Sequence, residues 1–315
     1  MRAEGAVATR TVYRDLLAAR MVADPATVCL DSDTGLFDAV DFGAAKDRYL
    51  NVGIAEHTMM GVAAALAADG WRPYVTTMAA FAGSRAIEAV KVDIAYNALP
   101  VRIVATHSGV SAGPLGPTHH ALEDLAVMRA LPNMTVLVPA DASATEALFR
   151  QSAELPGPVY LRLGRKPTPD LSDRIGAPVV GRAQHLRQGT DVLIAACGPL
   201  PCLAALEAAD LLAADGISAG VLVYQTLKPF DARTLLAAAE PARLVATVEE
   251  HWLTGGLASA TAEALAEGGP KRLLRVGLPD SFMSVVGGQE AILAAHGVTG
   301  PAVAGRIRAA CQPAT

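Results

Sequence analysis

The stretch NVGIAEHTMMGVAAALAADG, residues 51–70, places a carboxylate and an imidazole, Glu56 and His57, at the start of a long apolar segment. This segment predicts a helix from Glu56 to Ala68, because the Asp-Gly pair that follows it is a common helix-stopping sequence. The residues before it, RYLNVGI, predict a short strand. Ligands of open α/β sheets bind at the carboxyl ends of strands, so this strand-to-helix junction is a candidate site.

Segments with strand and helix patterns alternate on both sides of this junction. A helix (ATRTVYRDLLAARMV) and a strand (ATVCLDSD) precede it, and two strands (RPYVTTM and LPVRIVATHSG) follow it with a helix (SRAIEAVKVDIAYNA) between them. Almost continuously apolar strands are typical of parallel sheets that helices cover on both faces. The sequence therefore predicts an α/β fold, with a doubly wound domain over residues 1–170.

A polar, proline-rich segment, KPTPDLSDRIGA at residues 166–177, interrupts this alternation. Such a composition is typical of a linker between domains. Strand and helix patterns resume with TDVLIAAC and continue to LLRVGL. We therefore expect a second doubly wound domain over residues 178–315.

Composition excludes several classes of protein. The 315 residues carry a net charge of −5, only 4% are aromatic, and Lys and Arg are scattered. A nucleic-acid surface needs a basic stripe or stacking platforms, so we predict no nucleic-acid partner. The four cysteines form no CxxC pair and no zinc-like spacing, so we predict no metal site in this chain. Cys197 and Cys202, which flank GPLP, are expected to be small buried residues in a reducing compartment. The sequence shows neither a signal peptide nor a membrane span, and we expect a cytoplasmic protein.

Three polar clusters fall at the predicted carboxyl ends of strands: residues 31–34, 56–57 and 107–120. Each alone has an ordinary explanation. Glu56 suits the positive end of a helix dipole, His107 suits a buried core position, and SAGPLGPTHH suits a surface turn. Together at one sheet edge they favour a ligand site, because functional loops are commonly placed on a rigid scaffold there.

Four segments carry a resemblance to a known family: NVGIAEHTMMG, TMAAFAGSRA, ATHSGVSAGPLGPTHHALEDLAVMRALPNMTVLVPAD and EEHWLTGGLASATAEAL. In order and spacing they resemble the C-terminal half of transketolase, from about Ala26 to Ala266. The resemblance implies a thiamine diphosphate pyrimidine-binding domain followed by a transketolase C-terminal domain. The β subunits of 2-oxoacid dehydrogenases and the synthase that makes deoxyxylulose phosphate share this layout, but they are less similar after the THSG segment.

The resemblance also implies roles for the residues around the cofactor. The acid of GIAEH, here Glu56, matches the catalytic carboxylate that meets N1′ of the thiamine diphosphate pyrimidine and shares a proton with it. The apolar helix beside it predicts a buried setting that disfavours the charged form of a carboxyl group. Phe81 matches the aromatic residue that stacks on the pyrimidine, and Met78 matches a further position around that ring. Asp31 of CLDSD matches an acid near the bound cofactor.

Other matched positions concern the substrate. His119 of GPTHH matches the histidine near the cofactor's amino group and the reacting carbonyl, where it would move protons or hydrogen-bond the developing alkoxide. His107 and Arg165 match positions that hold the acceptor's phosphate in sugar-phosphate enzymes. Arg165 lies beside the predicted linker, and a plain surface charge remains an alternative for it. Leu115 replaces a family acid that binds a sugar hydroxyl, and Met78 and Ser84 replace aromatic residues, so sugar selectivity is expected to differ.

The resemblance covers only part of a complete transketolase. The family's GDG signature for Mg²⁺ and diphosphate is missing, and ADGW at residues 68–71, with Asn97 downstream, is no substitute because it ends the helix that starts at Glu56. We therefore expect thiamine diphosphate to be shared with an N-terminal-type subunit that holds Mg²⁺ and the diphosphate. The expected assembly is an α₂β₂ heterotetramer in which this chain dimerises.

Three functions remain open at this point. The first is transfer of a two-carbon ketol unit from a ketose or ketose phosphate to an aldehyde. The second is a 2-oxoacid dehydrogenase-like or hybrid subunit that delivers a two-carbon unit to a lipoyl or carrier-protein thiol. The third is a scaffold subunit without activity, although no structural need explains why Glu56, Phe81 and His119 occur together.

Overall fold

The computed structural model describes residues 6–285 and 287–312. The strands of the first half are short and mostly buried: β1 (Thr27–Asp31), β2 (Tyr49–Asn51), β3 (Arg72–Met78), β4 (Arg102–Thr106), β5 (Thr135–Leu137) and β6 (Val159–Arg162). The α-helices of this half are α1 (Thr9–Ala23), α2 (Glu56–Ala68), α3 (Ala79–Ala82), α4 (Ile87–Ala89), α5 (Asp124–Ala130), α6 (Ala142–Ser152) and α7 (Ser172–Ile175).

The second half repeats this alternation. Its strands are β7 (Gln184–Arg187), β8 (Val192–Cys197), β9 (Ala219–Val223), β10 (Thr226–Lys228), β11 (Leu244–Trp252) and β12 (Leu273–Leu278). Its helices are α8 (Pro199–Ala213), α9 (Ala232–Ala239), α10 (Leu257–Gly268), α11 (Gln289–Ala295) and α12 (Gly300–Cys311).

Two sheets organise these elements. The first has the strand order β10-β5-β6-β4-β3-β1-β2, and its strands run parallel except for β10. The second has the order β12-β11-β8-β9-β7, and its strands run parallel except for β7. The predicted α/β fold class is confirmed. The limits proposed for the two domains stay a prediction, and the first sheet takes one edge strand, β10, from the second half of the chain.

The strand order reverses direction at β1, since β2 lies on one side of it and β3 on the other. A doubly wound sheet opens a crevice at such a reversal, outside the carboxyl ends of the strands. The helix α2 begins at Glu56, directly after β2, as the sequence predicted. The chain thus delivers the start of α2 to this crevice.

The sequence predicted one regular helix over residues 84–98, and this prediction is wrong in one respect: the segment is not a continuous α-helix. The structure has the short α4 followed by a π-helix over Val90–Ala95. A π-helix adds a residue to the turn, which an apolar periodicity of 3.6 does not reveal. α2 packs against this π-helix.

The two halves are joined by buried polar contacts as well as by β10. The backbone N–H of Val110 donates to Oε1 of Glu250 over 2.7 Å, and Arg162 donates to the Glu250 carbonyl over 3.1 Å. Arg162 also forms a buried ion pair with Asp124 at 2.8 Å. Across the described ranges, no helix is both long enough and apolar enough to span a bilayer.

Candidate functional site

A cavity of about 480 Å³ lies at the carboxyl ends of β1 to β4, where the strand order reverses. Each of these strands supplies part of the wall through the residues that follow it. The lining comprises residues 32–34, Ile54 and Glu56, Met78, Phe81 and Arg85, and Thr118 and His119. The cavity therefore brings together Glu56, Met78, Phe81 and His119, four of the predicted site residues.

Glu56 is the first residue of α2 and is only 1% exposed. Its Oε2 accepts a hydrogen bond from Nη1 of Arg85 at 2.8 Å, whereas its Oε1 accepts none from the residues that the structure describes. The sequence predicted an apolar setting for this carboxylate and missed its ion pair. His57 does not line the cavity, and its Nε2 lies 2.6 Å from Glu88 in an exposed pair.

Phe81 lies between two polar side chains. The guanidinium carbon of Arg85 lies 4.6 Å from the centre of the Phe81 ring, a cation–π distance. The His119 ring meets Phe81 edge-on, with centroids 5.4 Å apart and planes 75° apart. The carboxylate, the guanidinium, the phenyl ring and the imidazole thus form one continuous chain of contacts along the cavity wall.

Asp31 does not line the cavity. It is fully buried at the end of β1, where its carboxylate accepts hydrogen bonds from Thr34 Oγ1 at 2.7 Å and from the Tyr49 hydroxyl at 3.0 Å. Burial raises the pKa of Asp31. These contacts hold the turn at residues 32–34, which does line the cavity, so Asp31 acts on the site through this turn; its predicted cofactor contact stays a prediction.

A cationic group, made of Arg10, His107 and Arg165, does not line the cavity, but it lies close enough to His119 on the cavity wall for the charge of His119 to act on His107. Nε2 of His107 is 3.4 Å from Nη1 of Arg10, and Arg165 is close enough that its charge acts on both. Burial first, and then the charges of Arg10 and Arg165, lower the pKa of His107 to about 4. The His107 imidazole is therefore neutral at neutral pH, and the two guanidinium groups supply the positive charge.

Two functional candidates escaped the sequence analysis, Arg10 and Arg85. Arg10 belongs to the polar face of α1, where a lone charge carries no functional signal. Arg85 follows Phe81 by four residues, a spacing that brings side chains together on helical turns and is the signal that was available.

Leu115 is 46% exposed in a turn of 3₁₀-helix over Gly113–Leu115 and does not reach the cavity.

Comparisons with known proteins agree with this geometry. The family described as "Transketolase, pyrimidine binding domain" matches residues 5–170, and "Transketolase, C-terminal domain" matches residues 181–303. The chain belongs to the transketolase family. The 6-deoxy-6-sulfo-D-fructose transketolase subunit SqwH of Clostridium sp. (strain MSTE9) is 38% identical over 303 residues, which cover 92% of this chain and 94% of the relative.

Further transketolase relatives have the same extent. A subunit of the apulose-4-phosphate transketolase of Phocaeicola vulgatus is 36% identical and covers 93% of this chain and 94% of the relative. A solved split gene transketolase, described as an inactive β4 tetramer, superposes with a TM-score of 0.86 at 42% identity and covers 97% of this chain and 98% of its own. This transketolase chain is therefore of the pyrimidine-binding type, and its extent matches that of the subunits of split transketolases.

Longer relatives show which part of a transketolase this chain represents. A transketolase from Pichia stipitis superposes with a TM-score of 0.78 at 26% identity, covering 98% of this chain but 46% of its own. The 1-deoxy-D-xylulose-5-phosphate synthase of Syntrophotalea carbinolica is 37% identical and covers 83% of this chain but 41% of the relative. The chain corresponds to less than half of these single-chain proteins.

The residues present fit thiamine diphosphate, the cofactor that the family implies. Oε1 of the buried Glu56 has no donor among the described residues, and it lies at a cavity that also presents the Phe81 ring. A heteroaromatic ring with a basic nitrogen matches both features. Among the residues that the structure describes, no group of three or more His, Cys, Asp or Glu side chains is placed to hold a metal ion.

Proposed function

We propose that this chain, together with a separate diphosphate-binding subunit, transfers a two-carbon ketol unit from a ketose or ketose phosphate to an aldehyde. The observation that carries the proposal is the buried carboxylate of Glu56 beside Phe81 at the reversal of the sheet. When bound there, thiamine diphosphate supplies a carbon nucleophile and an electron sink. The protein has to orient that cofactor, manage its protons and bind the sugar.

Each side chain of the cavity has a task in this proposal. Glu56 holds a proton at N1′ of the pyrimidine, and its burial excludes competing water. Phe81 and Met78 pack against the ring and fix its plane. His119 lies on the far side of Phe81, where it donates a hydrogen bond to the substrate oxygen or removes its proton.

The cationic group of Arg10, His107 and Arg165 suits an anionic substituent of the sugar. Guanidinium groups bind oxyanions through paired hydrogen bonds. The neutral His107 lies within hydrogen-bond distance of Arg10 and helps to position its guanidinium. The names of two relatives specify a sulfonated and a phosphorylated sugar. We propose that this chain also takes a sugar with an anionic group.

The partner subunit completes the site in this proposal by holding Mg²⁺ and the diphosphate. Exposed apolar residues on α2, on the adjoining π-helix and directly after it support an interface here: Val62, Val92 and Tyr96 are 38%, 47% and 83% exposed. Ile54, on the cavity wall, is 72% exposed. Burying such a surface stabilises an assembly. We propose an α₂β₂ heterotetramer that acts in the cytoplasm on carbohydrates.

The two alternatives are distinguishable from this proposal. Delivery to a lipoyl or carrier-protein thiol is not favoured, since the relatives of matching length are sugar transketolase subunits. The test is to mix the two purified subunits with thiamine diphosphate, Mg²⁺ and a set of ketose phosphates. Ketol transfer to an aldose supports the proposal, and capture of the unit only by a carrier thiol contradicts it. A pair that binds no cofactor indicates the scaffold instead.

A further inference from the structure

A second cavity, of about 190 Å³, lies at the opposite edge of the first sheet. Arg72 and Arg102, the first residues of β3 and β4, line it together with Arg20 of α1 and the buried Tyr74. The seven residues of β3 separate this edge from the candidate site by about 20 Å. This cavity is therefore distinct from the thiamine site.

Two of the three arginines that line this cavity do not cap the carbonyl groups at the ends of the neighbouring helices. Arg102 donates to the carbonyls of Ala153 and Gly157, both at 3.1 Å, and thereby caps the end of α6. Arg48, outside the cavity, donates to the carbonyls at the end of α1. The end of α2 is closed by its own backbone, because the Gly70 and Trp71 N–H groups donate to carbonyls of its last turn. Arg20 and Arg72 are left for other partners.

Within the described ranges, the carboxylate paired with these two arginines is shared between them. Oδ2 of Asp24 lies 2.8 Å from Nη1 of Arg72 and 3.5 Å from Nη2 of Arg20. Glu154 acts on Arg102 from outside the cavity wall. Among the residues that the structure describes, no acidic one lines the cavity itself. The polar side chains that line the cavity can therefore all donate hydrogen bonds to a ligand.

Two buried donors at this cavity have no hydrogen-bond partner among the described residues: the Tyr74 hydroxyl and Nε of Arg20. Tyr74 is 1% exposed, and the Arg20 guanidinium lies over its ring at 6.0 Å. An unpaired buried polar group costs about 1–3 kcal/mol, and native proteins rarely tolerate one. Two such donors at one cavity indicate a missing acceptor.

We propose that this cavity binds a small organic anion, a carboxylate or a phosphate monoester. Its oxygens would accept from the Tyr74 hydroxyl and the guanidinium groups of Arg20 and Arg72, and its carbon atoms would pack against Trp71 and Pro100. The volume is below the 300–1,000 Å³ or so typical of pockets for drug-sized ligands, so the ligand has the size of a three- or four-carbon acid. Water is the competing occupant, since the space is large enough for several molecules.

The test measures anion binding to the full chain by calorimetry at constant ionic strength. The probes are inorganic phosphate, glycerol 3-phosphate and succinate, with glycerol as the neutral control. The chain carries Arg165→Gln, because the cationic group beside the candidate site also attracts phosphate. We expect saturable binding of at least one anion in the millimolar range, weakened at least about tenfold by Tyr74→Phe and by Arg72→Gln.

Arg150→Gln is the matched control, since Arg150 is an exposed arginine of α6 with the same charge. It should leave binding unchanged. Saturable binding that both cavity variants weaken supports the proposal. Absence of saturable binding, or binding that neither cavity variant changes, overturns it and assigns water to the cavity. Because the assay measures anion binding by the chain itself, and the cavity variants lie about 20 Å from the candidate site, neither outcome depends on the transketolase activity.

Discussion

Nη1 of Arg85 lies 2.8 Å from Oε2 of Glu56, so the buried carboxylate at the start of α2 is ion-paired from the solvent side. The two partners differ sharply in exposure: Glu56 is 1% exposed and the Arg85 side chain 47%. A buried charge depends on its partner far more than an exposed one does. Arg85 thus keeps the acid in place at a cavity wall where the described residues offer its carboxylate no other donor.

This pairing predicts a non-additive effect on stability. Arg85→Ala should lower the free energy of unfolding by about 1–3 kcal/mol, because it leaves the Glu56 carboxylate buried and unpaired. In a Glu56→Gln background the same change should cost less than about 1 kcal/mol. Urea unfolding of the four chains measures both costs. Arg150→Ala, in an exposed pair with Glu146, is the control and should change little. Equal costs in the two backgrounds would refute the coupling.

We predict that titration of His107 makes the folded protein less stable in acid. Its pKa is about 4 in the folded protein, below the usual 6.5, so the folded state binds fewer protons than the unfolded state between these values. The corresponding stability is complete above pH 6.5 and is lost as the pH falls to 4. His107→Asn should remove about 3 kcal/mol of this dependence. Asn tolerates the φ of 57° at this position. Chemical unfolding across this pH range tests it, and identical profiles for both chains would count against the prediction.

We predict that titration of Glu250 has the opposite effect, making the folded protein less stable as the pH rises. Burial raises the pKa of Glu250 to about 7, above the usual 4.5, so the folded state binds more protons. Its contribution to stability is complete below pH 4.5 and is lost as the pH rises to 7. Glu250→Gln, which can still accept from Val110, should flatten this loss by about 3 kcal/mol. The same unfolding series provides the measurement; a variant that loses stability as steeply as the parent would show that Glu250 does not titrate there.

We predict that replacing Phe81 weakens the binding of the cofactor. Phe81→Leu keeps an apolar side chain but removes the aromatic face, which should weaken thiamine diphosphate binding to the assembled subunits about tenfold. Phe282, 78% exposed and outside the cavity, gives the matched control Phe282→Leu, which should bind normally. Titration of the cofactor by protein fluorescence measures both. Unchanged affinity in Phe81→Leu would remove Phe81 from the cofactor site.

Much of the fold followed from local patterns. The bounds of α2 and β3 match the predicted segments, because a helix stop and an apolar strand are both encoded within a few residues. The placement of Glu56 at the carboxyl edge followed from its position after a strand. The antiparallel β10 could not be predicted, since three residues from the second half pair with β5 only through tertiary contacts.

The site was predictable where motif residues lie in the cavity wall and less so where a side chain arrives from elsewhere. Arg10 reaches His107 across 97 positions of sequence. Asp31 has the expected position at a strand end, but its carboxylate is used by Thr34 and Tyr49. Sequence locates an acid at an edge; it does not show which neighbour occupies its oxygens.

The most direct test compares turnover by the assembled subunits with Glu56 intact and with Glu56→Gln. Both assemblies receive thiamine diphosphate, Mg²⁺, a ketose phosphate donor and an aldose acceptor, and circular dichroism verifies that the variant is folded. We predict ketol transfer only when both subunits are present, and a loss of at least about 100-fold in the variant, because the proton at the pyrimidine is no longer managed. Equal turnover by the Glu56→Gln assembly, or turnover by this chain alone, would contradict the account.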